Sequence, residues 1–466
     1  MNASRCVVIV GGGISGLAAA HRCREIARQE QRDLDIVLLE ASAQLGGCMQ
    51  TRNAAGFVME MGPDSLVVEK PSAIDLAKRV GLGDDLRPML SEYRGAAVVR
   101  SGRLLPIPDD VRLFTPLSVG GLLRSTLLSP LGILRAAIEP LIAARHSQED
   151  ESLASFVTRR FGREILQRLA QPLIGGIYSG DPQNVSMQAT LPHLLGLERR
   201  YGSLVQGMRV ANRNSSVGPT AHQMMSLRGG MGSLIAALER SLAGSIYRLS
   251  VAIRLERITD GWRIDLRDGR VLKADGVIGA IPARAMAPLI EPAEPALAAL
   301  LAGIRYHSVA TVTMVYPKGN IPKLPRATGF VVPHIEGRKI LATTFSSQKF
   351  LNRAPEGATV LRAFVGGALA PEMLEYGDEA MIAAVRSDFR DLLGIDVAPQ
   401  TAIVHRHERA LPEYSLGHTL RIAEIERRSA ELGAFALAGS AYRGVGIADC
   451  VSSGEKAADD VLRTLT

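Results

Sequence analysis

Six residues near the start of the chain, Gly11-Gly12-Gly13-Ile14-Ser15-Gly16, constrain its fold more than any other stretch. The apolar run Cys6 to Val10 precedes them and Leu17-Ala18-Ala19-Ala20 follows, so the order is strand, glycine turn, helix. Gly11, Gly13 and Gly16 keep the G-x-G-x-x-G spacing. The first permits a tight turn, the second lets backbone approach a pyrophosphate, and the third lets the helix lie close on the strand. Free N–H groups and partial positive charge at the helix N-terminus suit that anion. A second apolar strand, Asp35 to Leu39, ends in Glu40, 24 residues past Gly16, where an acid for a ribose is expected. These residues predict a dinucleotide-binding α/β domain, with nicotinamide and flavin both open.

Two further turns narrow the choice. Leu45-Gly46-Gly47-Cys48 and Gly56 to Ser65, the latter with the sharp Gly62-Pro63 bend, bring backbone rather than side chain against a large flat ligand. A nicotinamide enzyme does not need them, so the set points to a flavin. Ser226 to Leu234 opens a helix behind glycines and reads as another backbone approach to the ligand. Near the far end, the strand Phe435 to Ala438, the turn Gly439 to Cys450 and a helix over 451–465 repeat the opening pattern. A helix end of this type stabilises negative charge on a reduced flavin ring.

The net charge of +7 asks for an anionic partner. Aromatic residues make up only 4% of the chain and no run of Lys or Arg reaches five, which argues against nucleic acid. Cys6, Cys23, Cys48 and Cys450 are scattered, with no metal-ligand spacing. A reducing cytoplasm fits them. The first strand begins within about five residues, leaving no room for a signal peptide. From Leu113 to Ala144, leucine, isoleucine and proline dominate, yet no apolar run reaches the roughly 18 residues of a spanning helix. Its short basic helices suit either a membrane interface or an ordinary helical subdomain. Gly175 to Gly180 reads as a turn, Asn212 to Thr220 as a loop, and His405 and His407 as structural residues on one strand face.

The stretch Gly439 to Cys450 resembles the C-terminal signature of the oxygen-dependent protoporphyrinogen and coproporphyrinogen oxidases, within the flavin monoamine oxidase and phytoene desaturase superfamily. Pro172 to Asp181, Ser226 to Met231 and Thr328 to Pro333 match as well, and the resemblance spans essentially the whole chain. It implies an α/β fold (α+β overall): a Rossmann-like FAD-binding domain (1–90, 226–300, 432–466), a mixed-sheet substrate domain (91–104, 194–225, 301–431) and a helical, membrane-associated insert (105–193). It further implies non-covalent FAD with Gly11, Gly12, Gly13, Ile14, Ser15 and Gly16 at the pyrophosphate, Glu40 at the adenosine ribose and Val251 on the adenine side. Cys48, Gly62, Pro63, Asp64, Ser65, Ser440, Val445, Gly446 and Ile447 would line the ribityl chain and isoalloxazine. Two positions depart from the common pattern: Cys48 stands where many members carry arginine, and Ser440 where many carry an acid.

The implied reaction takes hydride equivalents from the carbon bridges of a porphyrinogen to flavin N5 and passes electrons to dioxygen, releasing hydrogen peroxide. It needs no metal and no dedicated general base. Arg94 would anchor a substrate carboxylate, with Thr328, Phe330 and Val331 lining the slot. A peripheral site on the inner face of the cell membrane and a downstream ferrochelatase-type enzyme complete the expectation. Coproporphyrinogen III and protoporphyrinogen IX both remain open. The alternatives are another superfamily flavoenzyme, such as an amine oxidase or carotenoid desaturase, and a flavin-bearing scaffold without turnover.

Overall fold

The computed structural model describes residues 4–93, 95–118, 120, 126–145, 147–178, 180–214 and 224–465. Arg94 lies outside the described residues. A five-stranded parallel sheet runs in the order Ile246–Tyr247, Leu34–Leu39, Arg5–Val10, Gly276–Gly279, Phe435–Leu437. Its central strand is apolar without alternation because both faces are covered. Helices Ile14–Gln29 and Ile447–Thr464 pack on one face. The other carries the meander Ala252–Ile258, Gly261–Leu266, Val271–Ala274 and helix Ala283–Ile290, with Trp262 fully buried against Phe435. Gly454 lets the last helix close on the first, since a Cβ there would lie 2.1 Å from the Ser15 carbonyl oxygen. The end of the chain therefore returns to its opening turn.

A second, mixed sheet has seven strands in the order Thr401–Pro412, Tyr306–Tyr316, Thr359–Gly366, Ala342–Phe345, Gly329–Val331, Ala97–Arg100, Arg103–Pro106. Only the Gly329–Val331 and Ala97–Arg100 pair is parallel. Ser101 and Gly102, both at positive φ, close the hairpin between Ala97–Arg100 and Arg103–Pro106. One face packs on helix Asp378–Leu393 through Phe330, Val312 and Ala363. The opposite face meets Met61, through Thr311 and His407, and the helical insert, through Val98 and Val331.

That insert has its own core, built on Phe114, Phe156, Phe161 and Leu169. Leu204 and Val205 belong to it, so the helical unit runs past residue 193. Helix Leu204–Asn214 also takes in the start of the segment expected as a loop. Gly175 and Gly176 likewise sit in a helix, Gln171–Tyr178, rather than a turn. A π-type turn over Leu166–Ala170 lets the helix continue past Pro172.

Candidate cofactor and substrate site

The first turn is fixed by close backbone contact. Gly11 has φ +113°, and a Cβ at Gly16 would lie 1.9 Å from the Gly11 carbonyl oxygen. A Cβ at Gly13 would meet nothing within 4 Å, so that residue faces the open side. Gly13 begins helix Ile14–Gln29 with no side-chain cap and no acid in the first turn. The end of the helix is therefore free for a pyrophosphate. Ser15 is buried and bonded to the Cys450 thiol, which burial pushes up to about 12. Glu40 accepts the N–H groups of Gly12 and Ser42, both at 2.8 Å, one on each carboxylate oxygen. Each oxygen keeps lone-pair capacity for a hydroxyl donor. Ser250 N–H donates to the Glu40 carbonyl at 2.9 Å, which brings half-buried Val251 beside the acid.

The second and third turns are tied to the first. Gly46 N–H donates to the Gly12 carbonyl at 2.8 Å, and exposed Cys48 follows. A Cβ at Gly62 would lie 1.9 Å from the Cys48 carbonyl oxygen. Backbone is thus stacked on backbone where a flat ring system needs room, and the arrangement fits FAD. The Gly229–Gly232 turn packs on the same segment: Gly230 approaches Thr51, Met231 N–H donates to Glu60, and Gly232 N–H to Thr51. It braces the Thr51–Ser65 segment.

Asp64 turns inward. Its carboxylate pairs with Lys349 and Arg362, both at 2.9 Å, and accepts the Ser65 hydroxyl at 2.6 Å. Burial alone would push this carboxyl up; Lys349 and Arg362 reverse that and hold it well below the usual carboxylate range. Arg362 also donates to the carbonyls of Glu60 and Gly62. Arg353 pairs with Glu60 at 3.2 Å and donates to Ser226. Pro63 and Ser65 therefore stand on a loop clamped by a buried ionic cluster.

The C-terminal turn is held by residues that follow the edge strand Thr401–Pro412 of the second sheet. Tyr414 donates its hydroxyl proton to the Ser440 carbonyl at 2.7 Å and accepts Gly444 N–H at 2.6 Å. His418, stacked on Tyr414, bonds the Tyr442 carbonyl at 3.1 Å. Ser440 and Val445 are half-buried, Gly446 exposed and Ile447 buried at the start of the last helix. The first turn of that helix carries Asp449, which accepts Gly446 N–H at 3.3 Å and pairs with Lys70 at 2.7 Å. Its positive end is partly offset by its own acid.

Strand register sorts the substrate residues. Val98, Val331, Ala342, Phe364, Thr311 and His405 are lateral neighbours across six strands, so their side chains share one face. Thr313 and Arg362 share it in the next row, as do Gly366, Val309 and His407. Met61 of the cofactor loop accepts from both Thr311 Oγ1 at 2.9 Å and His407 Nε2 at 2.8 Å. At the other end, Val331 packs on the insert. Phe330 is one residue out of phase: it points to the opposite face, 2% exposed against Phe345, and is a core residue rather than a slot residue. Thr328 is tied to the Gly95 carbonyl at 2.9 Å. A narrow cleft of about 20 Å³ lies between helix Gln171–Tyr178 and the sheet, with Gly175, Gly176, Val332, Gly366 and Gly367 among its walls. Sequence reasoning missed Arg362 and half-buried Phe364; their signal is the period-two alternation Arg362, Phe364, Gly366 along one strand.

Comparison with known proteins agrees with this geometry. Residues 14–462 match the family model described as flavin containing amine oxidoreductase. The coproporphyrinogen III oxidase of Bacillus subtilis (strain 168) is 32% identical, covering 98% of each chain. Human protoporphyrinogen oxidase is 29% identical, covering 99% of each. A crystal structure from Exiguobacterium sp. 255-15, of a protein provisionally assigned as a protoporphyrinogen oxidase, superposes with TM-score 0.87 at 32% identity over 99% of both chains. Cyclohexylamine oxidase of Brevibacterium oxydans IH-35A, 16% identical with TM-score 0.75 over 99% of both chains, shares the fold. The chain belongs to the flavin-containing amine oxidoreductases, and its cofactor is FAD.

Proposed function

We propose that this protein oxidises a porphyrinogen to the corresponding porphyrin, with coproporphyrinogen III as the preferred substrate and dioxygen as the final electron acceptor. The observation that carries the reading is that a chain of the flavin-containing amine oxidoreductases has full-length relatives named for porphyrinogen oxidation. Bound FAD supplies the hydride acceptor and returns electrons to oxygen. The protein's part is positioning: the sheet face orients the macrocycle, the Cys48 and Gly62 turns present backbone, and the insert excludes water. Preference for coproporphyrinogen III is supported by 32% identity to two bacterial coproporphyrinogen III oxidases. A ferrochelatase-type enzyme would consume the product.

Anaerobic mixing of the FAD-loaded protein with coproporphyrinogen III, protoporphyrinogen IX and benzylamine tests the assignment. Flavin bleaching by a porphyrinogen and not by the amine is expected; bleaching by the amine alone overturns it in favour of an amine oxidase. No bleaching above the rate of free flavin would leave a scaffold. Arg94 is proposed as a carboxylate anchor, and Arg94→Ala should lower kcat/KM by about 10- to 150-fold, matching the ~1.5–3 kcal/mol of one charge-assisted contact.

Peripheral membrane contact has a visible candidate. Leu131, Leu134 and Leu141 are 78%, 61% and 83% exposed, with Ile138 between the last two, at helical spacing on one side of Pro130–Ala137 and the turn that follows. Among the described residues, no helix is long and apolar enough to cross a membrane. All four cysteines are free thiols, which suits a cytoplasmic face. Changing the three leucines to serine should abolish co-sedimentation with anionic lipid vesicles while leaving flavin reduction intact; unchanged co-sedimentation would remove this surface from the proposal.

A further inference from the structure

Hydride transfer from a carbon bridge carries two electrons and one proton, so each reduction leaves one added negative charge at the flavin. A fixed cation in a low-dielectric surrounding stabilises such a charge. The last helix is a weak source, because Asp449 in its first turn offsets its positive end. The stronger source is the cluster beneath the third turn.

Lys349, Arg353 and Arg362 meet only Glu60 and Asp64 there, and all five residues are less than a tenth exposed. Three cations against two carboxylates leave an excess of one positive charge. Lys349 bonds Asp64 and Ser65, and Arg353 bonds Glu60 and Ser226. Among the described residues, Arg362 is the cation of the cluster whose side chain bonds the loop backbone, through the Glu60 and Gly62 carbonyls, while sharing Asp64 with Lys349. Its guanidinium lies 4.9 Å over the ring of Phe364, on the sheet face described above. His405 and His407 add no charge, since burial holds both imidazoles below their ordinary value.

We infer that Arg362 is a positioning residue that raises the reduction potential of the bound flavin: it fixes the Glu60–Gly62 backbone and places the uncompensated charge of the cluster beneath it. The inference rests on Gly62 to Ser65 bordering the flavin. It does not depend on which substrate is oxidised.

The test uses the full-length FAD-bound protein and two readouts other than turnover: the two-electron midpoint potential against a reference dye, and the dissociation constant of sulfite, an anion that adds to electron-poor flavins. Arg362→Gln should lower the potential and weaken sulfite binding by about tenfold, as expected for one unit charge acting through protein interior. Asp64→Asn removes a negative charge and should shift both readouts the opposite way. Arg362→Lys keeps the charge and should stay near the parent. Wild-type values in both charge-changing variants, or shifts of the same sign, overturn the inference. Should Arg362→Gln fail to fold, the sign of the Asp64→Asn shift against Arg362→Lys still decides it. Because a dye reports the potential, a failure here is distinct from a porphyrinogen failing to reduce the flavin.

Discussion

Two buried ion networks in this molecule look alike and serve different ends. In the helical insert, Arg145, Arg159 and Arg160 meet three buried acids, Glu139, Glu151 and Glu198, and Arg145 also reaches exposed Glu149. Arg160 and Glu139 are fully buried, and their remaining capacity goes to Ile142 and Gly202 carbonyls, the Ser203 hydroxyl and Leu204 N–H. Every partner lies inside the insert. The network under Gly62–Ser65 has three cations for two carboxylates and spends its hydrogen bonds on the loop proposed to border the flavin. A balanced network holds helices in register; an unbalanced one keeps a field in place. The desolvation cost of buried charge is met by pairing in the first case and left partly unmet in the second.

The largest expected effect breaks the balanced network. Arg160→Met leaves Glu139 buried without its cation, a change that costs about 3–5 kcal/mol. Urea unfolding should register that loss, while the flavin midpoint potential of the folded protein stays at the wild-type value. A shifted potential would mean the two networks are not separable. Next comes Gly62→Ala, which drives a Cβ to within 1.9 Å of the Cys48 carbonyl oxygen. Overpacking of this sort costs about 1–3 kcal/mol, and here it should appear as FAD lost on gel filtration rather than as lower urea resistance of the insert. Retention of full FAD content would separate the Cys48 and Gly62 turns from the cofactor.

Acid distinguishes the loop cluster through Asp64. Burial raises this carboxyl, and Lys349 and Arg362 more than reverse it, so its folded value lies below its unfolded one. A depressed carboxyl contributes stability that is fully present above the unfolded value, about pH 4, and is lost as pH falls toward the folded value. Unfolding free energy should therefore fall below pH 4, and Asp64→Asn should flatten that part of the profile. An unchanged slope in the variant would assign the acid sensitivity to other carboxylates.

The contrast also explains what the chain revealed before its structure was known. Gly11, Gly16, Gly46 and Gly62 were legible because each is required by backbone contact, and a missing side chain shows in a sequence. Glu40 was legible by its distance from the turn. The buried pairing of Asp64 was not legible, because its partners Lys349 and Arg362 lie about three hundred residues away in sequence and no local pattern joins them. Phe330 was misassigned for a simpler reason: in a strand, one step of register exchanges core for cleft. The start of the last helix was read as a positive end, and Asp449 in its first turn partly offsets what that end offers.

The smallest expected effect concerns Met61, where the substrate sheet touches the cofactor loop without any charge. Its carbonyl accepts from Thr311 Oγ1 and from His407 Nε2. A carbonyl can only accept, so Nε2 carries the proton, and the lowered imidazole pKa keeps the ring neutral. Thr311→Val removes one neutral hydrogen bond, worth about 0.5–1.5 kcal/mol, and leaves the carbonyl satisfied by the histidine. His407→Phe does the reverse at similar cost. Together they strand a buried acceptor, so the double variant should lose more than the sum of the singles in urea unfolding. Additive losses would mean that water reaches Met61 and that the sheet is not what holds this loop. Excess loss, with a flavin potential still near wild type, would show that the sheet sets the loop's position while the charge beneath it sets the potential.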